Sequence, residues 1–192
     1  MHPSALESNR RFLVIWVSAL VILGLLASPV RSSAATAKEL DVSADVALEE
    51  FQKYVKGGKE FLTTCKAVLV LPKVVKAGVG FGGEYGEGAL RIGGKTADYY
   101  NIASASFGFQ WGGQVKTVLL AFMEDKALEA FRNAHGWKAG VDGSVAAVTL
   151  GAGDSIDTTK IKEPIVGFVY GQKGLMYNLT FEGSKFTKLD KK

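Results

Sequence analysis

The chain is poor in the residues that most often carry chemistry. Its 192 residues include one cysteine, Cys65, two histidines and four prolines. One cysteine permits no disulfide within the chain. Its place deep in the sequence also excludes a lipoprotein anchor, which needs a cysteine at the leader's cleavage site. Cys65 stands between Thr64 and Lys66, before the apolar run AVLVL, and reads as a small buried hydrophobe. Past the N-terminal leader the only histidine is His135, in NAHGW. A Cys65–His135 pair lacks any local nucleophile signature, and a helix-terminal histidine reads as structural. No catalytic residue is assigned, and the protein is expected not to be an enzyme.

Strong charge of one sign is also missing. The formal net charge is +4. Arg10, Arg11, Arg31 and Glu7 lie in the leader, so the remainder carries +2. So small an excess argues against non-specific nucleic-acid binding.

Long hydrophobic runs are absent except at the start. Phe12–Ala27 is uncharged, follows Arg10-Arg11 and precedes the small-residue run SSAATA. A basic region, a short apolar core and a small-residue exit make a cleavable signal peptide, and the core is short for a membrane helix. Residues 1–37 are therefore read as leader, with cleavage after Ala34 or Ala37, and 38–192 as one domain. Export to the periplasm or cell exterior is expected. Arg10-Arg11 before Phe12-Leu13-Val14 also fits a loose twin-arginine pattern, so two export routes are compatible with it.

Glycine is abundant instead. Lys76–Gly112 is dense in it, and from Ile102 the residues alternate. Ala103, Ala105, Phe107, Phe109 and Trp111 point one way; Ser104, Ser106, Gly108, Gln110 and Gly112 point the other. A period of two is a strand, and a face this thin lets a neighbouring backbone, a crossing sheet or a ligand come close. Ser104, Ser106 and Gln110 are a candidate pocket face.

Elsewhere, Ser43 can cap a helix over Ala44–Val55, Lys59–Thr64 reads as a second, and Asp125–Ala134 as a third. Strands are expected at Ala67–Leu71, ending at Pro72, and at Gly78–Tyr85, Ala89–Ile92, Ala97–Trp111, Val115–Met123, Val141–Leu150, Ile165–Tyr170, Leu175–Phe181 and Lys185–Leu189. Strands framed by helices without a βαβ rhythm predict an α+β fold. Its sheet would be mainly antiparallel, glycine-rich and curved, a partial barrel with N-terminal helices and one further helix.

Several motifs carry little. Gly78-Val79-Gly80-Phe81-Gly82-Gly83 matches G-x-G-x-x-G, but the glycines that follow forbid the helix a dinucleotide site needs. Glu84/Glu87 and Asp154/Asp157 read as solvated turns, so no metal or cofactor is expected. Asn178-Leu179-Thr180 is a sequon only in a eukaryotic secretory route.

Four ordered blocks resemble the SYLF domain family: VLVLPKVVKAGVGFGGEYGEGAL (Val68–Leu90), YYNIASASFGFQWGGQ (Tyr99–Gln114), AGVDGSVA (Ala139–Ala146) and QKGLMYNLTFEGSKFTKL (Gln172–Leu189). The family includes yeast actin-regulating proteins, lipid-binding eukaryotic proteins and bacterial exported proteins. The resemblance implies phosphoinositide or membrane-lipid binding, actin binding in some eukaryotic members, and no catalytic residues. Phosphoinositide-binding members open on a basic amphipathic helix, whereas Lys38–Glu50 here is acidic. The implied ligand is therefore anionic lipid or a membrane surface in general. Lys73 and Lys76, beside the glycine strand, are the leading candidates for it, helped by Lys53, Lys56, Lys59 and Lys66. The alternative is an interaction or structural module with an envelope protein as partner.

Overall fold

The computed structural model describes residues 35–151, 153–156, 161–174 and 181–191, without the side chains of 79, 80, 106–111 and 174. The apolar leader core, the strand expected over 175–180, Asp157, the Asn178 sequon and the side chains of Ser106 and Gln110 lie outside the described residues.

The first helix, α1, covers Ala37–Tyr54 and starts two turns before the expected Ala44. Thr36, not Ser43, is its N-cap. The Thr36 side chain accepts from the Glu39 amide at 3.3 Å, and the Glu39 carboxylate accepts from the Thr36 amide at 2.7 Å. This reciprocal capping box satisfies two amides at once, which one serine cannot do. Leu40, Ala44, Ala47 and Phe51 form the buried stripe. Gly57, at φ 78°, turns the chain into the short helix α2, Gly58–Thr64.

Two very long strands follow. β1 runs unbroken over Ala67–Ile92 and β2 over Lys95–Phe122, 26 and 28 residues against a usual five or six. They form one antiparallel hairpin turned by Gly93-Gly94. The expected interruptions are therefore bends within strands. Pro72, which has no amide hydrogen to donate, falls in a register shift between Leu71 and Val74, and pairing resumes beyond it. At the corner, β1 has one residue, 80, and β2 three, 108–110, between the pairs Val79↔Trp111 and Phe81↔Phe107. The extra residues on one strand sharpen its bend.

The bend folds the hairpin over itself. Glu84, Gly86, Gly88 and Leu90 alternate onto the inner face. A Cβ on Gly86 would stand 2.8 Å from a Val74 methyl, and one on Gly88 would overlap the Val70 carbonyl. At these β1 glycines the close approach is strand against strand.

The remaining elements widen the two halves. These are helix α3 (Asp125–Asn133), β3 (Trp137–Lys138), β4 (Ala146–Thr149), β5 (Ile165–Gly174) and β6 (Lys185–Leu189). The sheet order is β3-β6-β2-β5-β4, with β1 also on β2. All pairs between strands are antiparallel except β4–β5. β4 is shorter than the expected Val141–Leu150 because Gly140, at φ 84°, opens a turn in which the Asp142 carboxylate accepts from the Lys138 amide at 2.7 Å. The result is the α+β, curled partial barrel expected from the sequence.

Two cores result. Leu69, Leu71, Val118, Leu120, Tyr100 and Ile102 fill the inside of the curl, closed by Phe131 of α3. The Phe131 ring lies 4.8 Å from that of Tyr100 and 4.9 Å from that of Phe122. Outside, α1 and α2 cover Val68, Val70, Leu119 and Phe168. The acidic stretch of α1 clamps the hairpin tip. Asp41 accepts from Thr96 at 2.7 Å and Tyr99 at 3.1 Å, and Asp45 pairs with Arg91 at 2.7 Å.

Candidate functional site

Alternation along β1 divides the two leading lysines. Lys73 and Val75 are exposed on the outer face; Val74 and Lys76 are buried on the inner one. The expected Lys73/Lys76 pair is therefore two sites on opposite faces of the sheet.

The outer site begins where α1 ends. There Val75, Val115 and Lys173 form a row across β1, β2 and β5. Val75 is 40% exposed and Val115 37%. The row adjoins a groove of about 720 Å³ lined by Tyr54, Pro72, Val115, Tyr170 and Lys173, among others. Lys73, exposed, follows Pro72 in the chain. The ammonium of Lys53, also exposed, lies 5.9 Å from the centre of the Tyr54 ring. Lys173 and Glu50 line the groove, and Lys53 and Lys73 adjoin its lining residues Tyr54 and Pro72 in the chain, so partly apolar surface with lysines beside it suits an amphiphile with an anionic head.

The other lysines disperse. Lys56 and Lys59 are exposed around the α1–α2 turn, where the Lys56 amide donates to the Asp154 carbonyl at 2.9 Å. Lys66 pairs with Asp125 at 3.2 Å beside the hairpin tip. Eight residues of strand between Ala67 and Val75 put it roughly 25 Å from the outer row. Sequence reasoning missed Lys173. Its signal was alternation, since in GQKG it shares a face with Val115 only after the β5 register is known.

The inner site occupies the end of the curl beyond the apolar core. The Lys116 ammonium donates to Glu84 at 3.0 Å, both side chains being almost wholly buried. The crossing that sets Gly88 over Val70 and Gly86 over Val74 brings Glu84 to this rung. Ser104 of the expected pocket face is the cross-strand partner of Glu84, half-buried. Gln114, the cross-strand partner of Lys76, donates Nε2 to Gln172 Oε1 at 2.9 Å.

Cys65 belongs to neither site. Its thiol donates to the Phe61 carbonyl at 3.3 Å and faces the Met123 sulfur at 3.8 Å. Burial pushes it up to about 12, slightly offset by Thr64. Such a thiol is a poor nucleophile at neutral pH. No cluster of three or more possible metal ligands occurs among the described residues.

These features define an α+β domain built on one curled β-hairpin, with a helix-clamped tip and a basic, partly apolar outer end. The Ysc84 family model, described as Las17-binding protein actin regulator, matches residues 103–192, from the middle of β2 onward. Over this segment, somewhat under half of the chain, the match agrees with the resemblance to the SYLF domain family. The match leaves out β1, with Lys73 and Lys76. No curated protein matches the chain.

Proposed function

We propose that this is an exported, non-enzymatic domain of the cell envelope that binds anionic lipid or an anionic membrane surface through its outer end. The observation that carries the reading is the row Val75–Val115–Lys173 beside the groove, with exposed Lys53 and Lys73 next in the chain to its lining residues Tyr54 and Pro72. Lysines near an anionic surface contribute about 1 kcal/mol each, and exposed valines give the contact an apolar component. The leader pattern of Phe12–Ala27 and SSAATA supports export. The raised thiol of Cys65 supports a binding role without covalent chemistry.

The test is cosedimentation with phosphatidylglycerol and phosphatidylcholine vesicles over a range of salt. Wild type should prefer the anionic vesicles and lose them as salt rises. Lys73→Glu/Lys173→Glu should weaken binding by about 2 kcal/mol, roughly thirtyfold, counting charge removal alone. Lys66→Glu, equal in kind but paired and distant, should change binding far less. Equal binding to both vesicle types, or indifference to the double change, would defeat the proposal.

A protein partner is the second reading. It is favoured by Phe81, 72% exposed at the hairpin bend, and by the family's description as a Las17-binding actin regulator. Loss of a protein partner on Phe81→Ser, with vesicle binding absent from wild type, would favour this reading.

A further inference from the structure

We infer that the inner-face cluster around Lys76 is a binding site for a singly charged oxyanion, borne by a lipid headgroup or free in solution. It goes beyond the outer surface proposed above, because Lys76 lies on the opposite face from Lys73 and Lys173.

Charge is the first ground. Lys116 and Glu84 satisfy one another at 3.0 Å. Lys76, on the next inner rung, is only 8% exposed and meets no carboxylate among the described residues. Two inner-face ammonium groups therefore stand beside one carboxylate, which Lys116 occupies. A buried charge without a counter-ion is costly, and one negative charge would balance the group.

Hydrogen bonding is the second, independent ground. Gln114 is 2% exposed and directly opposite Lys76. Its Nε2 serves Gln172, while its other amide atom, Oε1, is buried without a partner. That oxygen is an acceptor on the same rung as Lys76, and a hydroxyl hydrogen of the ligand would satisfy it. The rung thus suits a singly charged phosphate that keeps an O–H, or a phosphodiester headgroup that bears a hydroxyl, and the single charge matches the one left over by Glu84. Ser104, across from Glu84, lies at the border of the same cluster.

The test uses the purified protein in the form its host makes. Thermal unfolding and titration calorimetry are run with acetate, inorganic phosphate and dihexanoyl phosphatidylglycerol, against chloride at matched ionic strength. At least one oxyanion should raise the unfolding midpoint saturably in wild type. Response to acetate or phosphate identifies a free ion; response to the short-chain lipid alone identifies a headgroup. Lys76→Met should weaken binding about tenfold or more, the scale of one hydrogen bond to a charged group. Lys76→Arg should retain it, and Lys73→Glu/Lys173→Glu should leave it unchanged. If Lys76→Met does not fold, Gln114→Leu provides the comparison, again with weaker binding expected. No oxyanion effect beyond chloride in wild type overturns the inference, as does undiminished binding in the folded Lys76 or Gln114 variants.

Discussion

Gly88 lies directly against the carbonyl of Val70, with no room for a side-chain carbon between them. This contact lets β1 cross its own first half and fold the hairpin into a partial barrel. Gly88→Ala should therefore destabilise the protein by about 3 kcal/mol, at the upper end for overpacking because the obstacle is backbone. Gly83→Ala is the control. Its Cβ would meet nothing nearer than the Ser104 carbonyl at 4.0 Å, so its cost should stay within about 0.5 kcal/mol. Urea unfolding of the two variants checks this, and equal costs would contradict the crossing.

The buried Lys116–Glu84 pair gives a second prediction. Glu84→Gln removes the carboxylate that pairs with Lys116, and breaking such a pair costs about 3–5 kcal/mol. Lys116→Met should cost a similar amount. Glu84→Leu/Lys116→Met should lose much less than the sum, since no partner is stranded. A double-mutant cycle by urea denaturation measures the coupling, and strict additivity would show the pair to be inert.

Alkaline pH should weaken the fold. Burial pushes Cys65 from 9.0 to about 12, and it pushes Tyr100 from 10.0 to about 12 with help from Asp98. Burial, reinforced by Glu50, also raises Tyr170, whose hydroxyl donates to the Ala47 carbonyl at 2.6 Å. Above pH 9 the unfolded chain releases these protons while the folded chain keeps them to about pH 12. The unfolded state then binds fewer protons, so stability falls as pH rises through this window and is unaffected by these groups below it. Urea midpoints measured from pH 7 to 11 should show the decline. Alkylation of Cys65 at pH 8 should be roughly a thousandfold slower than in the unfolded chain, following the thiolate fraction.

Processing is predicted at one of the two small-residue positions. Cleavage after Ala37 would delete Thr36 and with it the capping box of α1, a loss of about 1 kcal/mol. It would also remove the Ala35 carbonyl, which accepts from Lys191 at 2.7 Å, while Lys191 also pairs with Glu87 at 2.8 Å. If the leader is removed, the protein should therefore begin at Ala35, as intact-mass measurement would show. A start at Lys38, or a full-length mass in the membrane fraction, would contradict this.

Much of this architecture was legible in local patterns. Alternation at Ile102–Ala105 and the short apolar run AVLVL reported strands, and Gly57 reported the end of a helix. Other signals misled because distant contacts decide them. Ser43 looked like a cap, yet Thr36 and Glu39 made the better one and left Ser43 inside the helix. Pro72 and the glycines looked like strand ends, yet the long partner β2 carried pairing across each of them. Lys73 and Lys76 looked like one site because Pro72 looked like the end of regular pairing; once β1 continues past it, residues three apart face opposite ways.

What the sequence by itself determined is local and periodic: the strands, the helices, the α+β class and the family resemblance. These follow from side-chain alternation and backbone freedom, which act over a few residues. Only the tertiary structure decided that the glycines of β1 admit another part of the same strand, that the acids of α1 hold Arg91, and that Lys76 faces Gln114 while Lys73 faces outward. Those outcomes depend on which segments meet across the curl, and that is settled by packing between residues far apart in the chain.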